Sequence, residues 1–122
     1  MIDHAGLKVR SYEKSRQFYA KALEPLGYSV KYEDAKSKAA GFGAEDAIDF
    51  WIAEGAPASQ VHIAFRCGDR EVVKRFHAAA TGAGGKDNGA AGLRADYGPT
   101  YYAAFVLDPD GNNIETVCHE PA

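Results

Sequence analysis

The chain is poor in the features that mark several large protein classes. Among its 122 residues are two cysteines, one methionine and one tryptophan. Cys67 and Cys118 are too few and too far apart for a zinc-type pair or a disulfide framework, so free thiols in a reducing compartment are expected. No apolar run approaches the ~20 residues that a membrane helix needs. No block of lysine and arginine is present either. Fourteen basic residues stand against seventeen acidic ones, for a formal net charge of −3, and nothing favours nucleic acid or an anionic membrane. The first residues, Met1 to His4, lack the charged and apolar regions of a secretory signal. These absences predict a cytoplasmic protein that binds neither nucleic acid nor membrane.

What is present is an ordinary globular composition, 46% hydrophobic and 25% charged. The length suits one compact domain, 1–122, with a packed core. Residues 2–9 read as a strand. Ser11 suits a helix N-cap and Glu13 the positive end of its dipole. Phe18, Ala22 and Leu26 recur at helical spacing, and Pro25 with Gly27 stops the helix. Tyr28, Val30 and Tyr32 alternate with polar residues as a strand does. Further strands are predicted at 39–43 and 47–52, and 54–60 reads as a linker. The order then repeats. A strand at 61–67 precedes Asp69, a second N-cap, and a helix face of Val72, Val73, Phe76 and Ala80. Residues 86–100, rich in glycine, read as a loop with a short strand. A strong strand at 101–107, a type I turn at Asp108-Pro109-Asp110-Gly111 and a returning strand at 113–118 close the chain.

The repetition can be counted. His4 precedes Phe18 by 14 residues, as His62 precedes Phe76. His4 precedes Gly27 by 23 residues, as His62 precedes Gly85. Ile48-Asp49-Phe50-Trp51 then takes the place of Ile114-Glu115-Thr116-Val117. The chain is therefore one motif given twice, about 1–55 and 60–122.

A strand with His, a helix with Phe and three strands ending near an acidic residue, twice over, resemble the vicinal oxygen chelate superfamily. That superfamily includes glyoxalases, bleomycin-resistance proteins and extradiol dioxygenases. The sharpest matches are residues 2–9, Ser15-Arg16-Gln17-Phe18-Tyr19, and residues 105–115, with the Asp-Pro-Asp-Gly turn running into Ile114-Glu115. The resemblance implies an α+β fold. Two βαβββ modules would form a curved, mostly antiparallel half-barrel around a cavity. It also implies a homodimer and a divalent metal (Ni, Zn, Mn or Fe) held by His4, His62 and Glu115.

Two imidazoles and a carboxylate on one face suit any of those ions. Asp49 is the candidate fourth ligand, though a slip of one residue would put Phe50 or Trp51 there and turn the strand over. Arg94, Tyr101 and Tyr102 are candidates to line the substrate site, Arg94 by gripping a carboxylate or phosphate. His77 and His119 read as surface residues. Three activities stay open. The first is a metal-dependent lyase or isomerase of glyoxalase type acting on a small oxygenated substrate, with Glu115 as base. The second is a metal-free binding protein. The third is a small dioxygenase or thiol transferase.

Overall fold

Alternation of buried and exposed positions decides how the strands lie. In β1 (Ala5–Val9), Leu7 and Val9 are buried while Gly6 and Lys8 are exposed. One face of the strand therefore packs on a helix and the other points away. That helix, α1 (Tyr12–Ala22), starts at Ser11, whose hydroxyl accepts from the Lys14 N–H at 3.3 Å. It gives way to a short 3-10 turn at Glu24–Leu26, closed by Gly27 in the left-handed conformation. β2 (Ser29–Asp34), β3 (Ala39–Gly43) and β4 (Phe50–Glu54) follow. β4 then returns beside β1, and the sheet order is β1-β4-β3-β2.

The second module repeats the plan. β5 (His62–Cys67) leads to α2 (Arg70–Gly82), capped by Asp69 accepting from the Glu71 N–H at 2.8 Å. β6 (Lys86–Leu93), β7 (Tyr102–Leu107) and β8 (Asn113–Cys118) complete a sheet ordered β5-β8-β7-β6. The computed structural model describes all residues from Met1 to Ala122. No helix in it is long and apolar enough to cross a membrane.

The two-module α+β architecture matches the expectation from the repeat, with three refinements. Each sheet is mixed, because β1 pairs parallel with β4 and β5 parallel with β8. The segment expected as a loop with a short strand contains the eight-residue β6. Its pairing with β7 shifts register twice, between Asp87 and Gly89 and between Gly89 and Gly92. Bulges at glycines hide a strand from any period-two reading. The fourth strand begins at Phe50, so Asp49 lies just outside it.

One core serves both modules. Phe18, Tyr19, Phe42 and Phe50 from the first module join Phe65, Phe76, Val106 and Ile114 from the second in a single buried cluster. The helices α1 and α2 pack together within it. Tyr19, fully buried, donates its hydroxyl hydrogen bond across the modules to Asp108. Asp108 also accepts from the backbone of Asp110 and Asn112 and from the Asn112 amide, at 2.8–2.9 Å. The Asp-Pro-Asp-Gly turn, closed by the Gly111 N–H on the Asp108 carbonyl at 2.9 Å, is thus also a joint between the halves.

Candidate functional site

Strand β8 carries the one buried glutamate. Glu115 is 2% exposed, yet it is register partner to Phe105 and Ala64, on the side of the sheet away from the helices. The alternate row, Ile114, Thr116 and Cys118, faces the core. Burying a carboxylate costs several kcal/mol unless donors surround it, so its partners matter. Tyr101 donates its hydroxyl hydrogen bond to Oε2. His62 sets Nε2 3.0 Å from Oε1, and its Nδ1 lies 2.9 Å from the Asn113 carbonyl. That carbonyl can only accept, so Nδ1 carries a proton and Nε2 faces the carboxylate. The Tyr101 hydroxyl is pushed up to about 12, first by burial and then by the Glu115 carboxylate.

Around this centre lies an aromatic and cationic wall. Phe105 lies nearly parallel to the His62 ring, 6.3 Å away. The Arg94 guanidinium sits 5.3 Å above the Phe105 ring and donates to the Gly92 and Ala90 carbonyls at 2.9 and 2.8 Å. Gly89 makes that stack possible. A Cβ there would come within 3.0 Å of Phe105 and 3.1 Å of Arg94, and its φ of 150° suits glycine. Tyr97 meets Tyr101 edge-on at 5.3 Å, and His119 does the same from the C-terminal end at 5.2 Å.

The structure sorts the expected site residues into groups. Glu115, His62, Tyr101 and Arg94 share the outward face of the second sheet. Tyr102 does not. It stands in the row with Ala104 and Val106, packs against the core and lies under the Arg70 guanidinium at 4.8 Å. Tyr102 begins β7 with its ring on the core side, whereas Tyr101, in the loop just before it, reaches Glu115, so of the two only Tyr101 lines the site. His119, read as a surface residue, stands at the rim against Tyr101. His77 lies elsewhere, paired with Asp87 at 2.8 Å.

His4 and Asp49 line a cavity of about 510 Å³ between the modules, which His62 also borders. His4 turns Nδ1 to Asp3 at 2.7 Å, and Asp49 accepts from the Tyr28 hydroxyl at 2.6 Å. The second oxygen of Asp49 is buried without a partner.

Strand register also realigns the repeat. Ala5 pairs with Phe50, and its counterpart Ile63 pairs with Ile114. Trp51 therefore stands level with Glu115, and Asp49 with Asn113. The sequence match that paired Asp49 with Glu115 is off by two residues. A shift of two preserves the alternation of faces, so the pattern of polar and apolar residues looks the same in either alignment.

A divalent ion of the expected kind needs at least three donors at about 2.0–2.2 Å. No three His, Cys, Asp or Glu side chains gather in the chain. Of the four expected ligands, His62 and Glu115 alone turn donor atoms toward each other, and the first module places an indole at the matching level. The residues of a single chain do not fit a metal centre.

The comparisons with known proteins agree with this architecture. The family model described as "Glyoxalase/Bleomycin resistance protein/Dioxygenase superfamily" matches residues 1–116. No curated protein matches the chain. A glyoxalase/bleomycin resistance protein from Albidiferax ferrireducens T118 superposes with a TM-score of 0.78 at 27% identity, over 94% of this chain and 95% of that one. A glyoxalase-related enzyme from Fulvimarina pelagi shares the fold at 16% identity and a TM-score of 0.73, over 97% of this chain and 87% of its own. A V278E glyoxalase I mutant from Zea mays does so at 18% identity and a TM-score of 0.66, over 99% of this chain and 45% of its own. The matched span covers nearly the whole sequence and both modules, and the chain belongs to the glyoxalase/bleomycin resistance protein/dioxygenase superfamily.

Proposed function

We propose that the protein is a lyase or isomerase of glyoxalase type, acting on a small oxygenated substrate at the outward face of the second sheet, with Glu115 as the base. The observation that carries this reading is Glu115 itself. It is a buried carboxylate on the sheet's outward face, fixed by Tyr101 and His62. A carboxylate has about four acceptor positions, so the Tyr101 hydrogen bond and the His62 contact still leave room for a substrate proton. Glu115 takes a proton from the carbon beside the substrate carbonyl. The C–H electron pair becomes a C=C bond as the carbonyl π pair moves onto its oxygen, giving an enediolate. The proton held by Glu115 then adds to the former carbonyl carbon, while the hydroxyl on the neighbouring carbon passes its proton to the former carbonyl oxygen and becomes the new carbonyl. Arg94 supplies fixed positive charge for the developing oxyanion or for a substrate carboxylate. A thiol-conjugated substrate is included in the class, its acid groups meeting Arg94.

The divalent metal expected from the resemblance has no three-donor site within one chain, and no step above uses one. That same observation favours a second reading, a ligand-binding protein that works without metal. The homodimer also belongs to the proposal. Exposed β1 and β5 edges invite pairing, and sedimentation at twice the 13.1 kDa chain mass is the expected result.

The deciding experiment combines isothermal titration with Ni(II), Zn(II) and Mn(II) with a hemithioacetal isomerase assay. The parent is compared with His4→Ala, Asp49→Asn, His62→Ala and Glu115→Gln. The expected result is that Glu115→Gln lowers turnover by roughly 10²–10⁴-fold, the usual worth of a positioned base. A parent with no turnover under any metal, while still binding small ligands, would replace the enzyme with the binding protein.

A further inference from the structure

At the level of Glu115 the row across the second sheet reads Ala64, Glu115, Phe105, Gly89. The matching row across the first sheet reads Gly6, Trp51, Gly41, Tyr32. One module keeps a carboxylate there and the other an indole, and the neighbours of the indole are shaped to present it. A Cβ on Gly41 would lie 2.8 Å from Cζ3 of Trp51, so only glycine lets the indole lie across β3. Tyr32 meets the indole at 5.7 Å and is itself 49% exposed. On the other flank Gly6 has no side chain, and a cavity of about 260 Å³ opens there, bordered by Gly6, Lys8, Trp51 and Ala53. Lys8 lies two residues along β1 from Gly6 and so on the same face. It is exposed, and it has no ion-pair partner among the salt bridges of the chain.

We propose that this row is a binding site for a planar aromatic acid. The ring stacks against the Trp51 indole in the space above Gly6, and the carboxylate pairs with the Lys8 ammonium. The ring is required because the wall is a π face, which favours offset stacking. The negative charge is required because the unpaired group at the rim is an ammonium. At about 260 Å³ the cavity is large enough for one six-membered ring with its carboxylate. This site lies on the module opposite Glu115 and does not depend on the activity proposed there.

The chain has a single tryptophan, so indole emission reports on this site alone. Benzoate is the probe, followed by Trp51 fluorescence and by calorimetry on the full chain. A saturable change is expected, with a dissociation constant on the order of 1 mM for so small a ligand. Benzamide, which lacks the charge, and cyclohexanecarboxylate, which lacks the π face, are each expected to bind at least about fivefold more weakly. Trp51→Leu and Lys8→Gln are expected to weaken benzoate binding about five- to tenfold, measured by calorimetry. If Trp51→Leu fails to fold, Tyr32→Ser at its exposed position is expected to weaken binding about twofold or more. Arg94→Gln is expected to leave binding unchanged. The proposal is overturned if benzoate gives no saturable change, or if Lys8→Gln binds as well as the parent. It is also overturned if Arg94→Gln abolishes binding, which would put the acid on the second sheet.

Discussion

Glu115 holds its place through two side chains that differ in what they can lose. His62 is tied to a backbone carbonyl on its far side, whereas Tyr101 reaches the carboxylate from the loop before β7. Tyr101→Phe removes one charge-assisted hydrogen bond from a buried acceptor, and a cost of about 1–2 kcal/mol is expected in urea unfolding. The pH dependence has a definite sign. The Tyr101 hydroxyl titrates at about 12 in the folded chain, above its ordinary value of 10.0. Its contribution to stability is therefore complete below pH 10 and is lost as pH rises toward 12. Tyr12, raised to about 12 by burial and by Glu33, loses stability over the same range. Stability measured from pH 9 to 12 should fall less steeply in Tyr101→Phe, and less steeply still when Tyr12→Phe is added. At this scale part of the candidate site was legible. His62 and Glu115 follow from the repeat, Arg94 from its place within the glycine-rich segment and Tyr101 from its place just after it. Trp51 was not legible, because a two-residue offset leaves strand parity intact. Tyr102 misled, since nothing in the pair Tyr101-Tyr102 says which ring faces the core.

The helices announce themselves through their caps. Ser11 and Asp69 were readable as N-caps, and both hydroxyl and carboxylate accept the expected backbone N–H. Asp69→Ala is expected to cost about 1 kcal/mol by thermal or urea unfolding. The start of α1 has a second device that only the tertiary fold reveals. Glu54, at the end of β4, accepts from the Tyr12 N–H at 3.1 Å, and Glu33 on β2 binds both Arg16 and the Tyr12 hydroxyl. The Tyr12 backbone bond holds the Glu54 carboxyl below its usual range, and Arg16 does the same for Glu33. A lowered carboxyl stabilises the fold above its unfolded value and loses that effect as pH falls through the folded one. Acid unfolding of Glu54→Gln should thus be less pH-dependent below the ordinary carboxylate range than that of the parent, with α1 helicity by circular dichroism as the readout. Strand β6 escaped sequence reading for the opposite reason. Its two register shifts at glycines break the alternation by which strands are recognised, and only pairing with β7 restores it.

Two modules with one interior should unfold together. Phe76 is fully buried in the core that also holds Phe18 and Phe42. Phe76→Ala is expected to cost about 3–5 kcal/mol. Trp51 emission, which reports on the first module, should change at the same denaturant concentration as far-UV circular dichroism. Separate midpoints would mean that the shared core does not couple the halves. Tyr19→Phe tests the joint directly, and loss of its bond to Asp108 is expected to cost about 1–3 kcal/mol, because a buried acceptor is left short of a partner. The doubling itself was plain in the sequence, since His, Phe and Gly recur at equal spacing. That both modules turn their helices into one interior was not, because spacing along a chain does not say which faces meet.

Cys67 and Cys118 are register partners on β5 and β8, the one partly exposed and the other fully buried. A thiol-specific alkylating reagent therefore meets two very different targets within one pair of residues. Cys67 is open to direct attack, slowed by burial that raises its thiol above the ordinary value. Cys118 can be alkylated only when the seam between the two parallel strands parts. The ratio of the two labelling rates becomes a clock for that parting, and its temperature dependence follows the enthalpy of opening at the end of the β5–β8 seam.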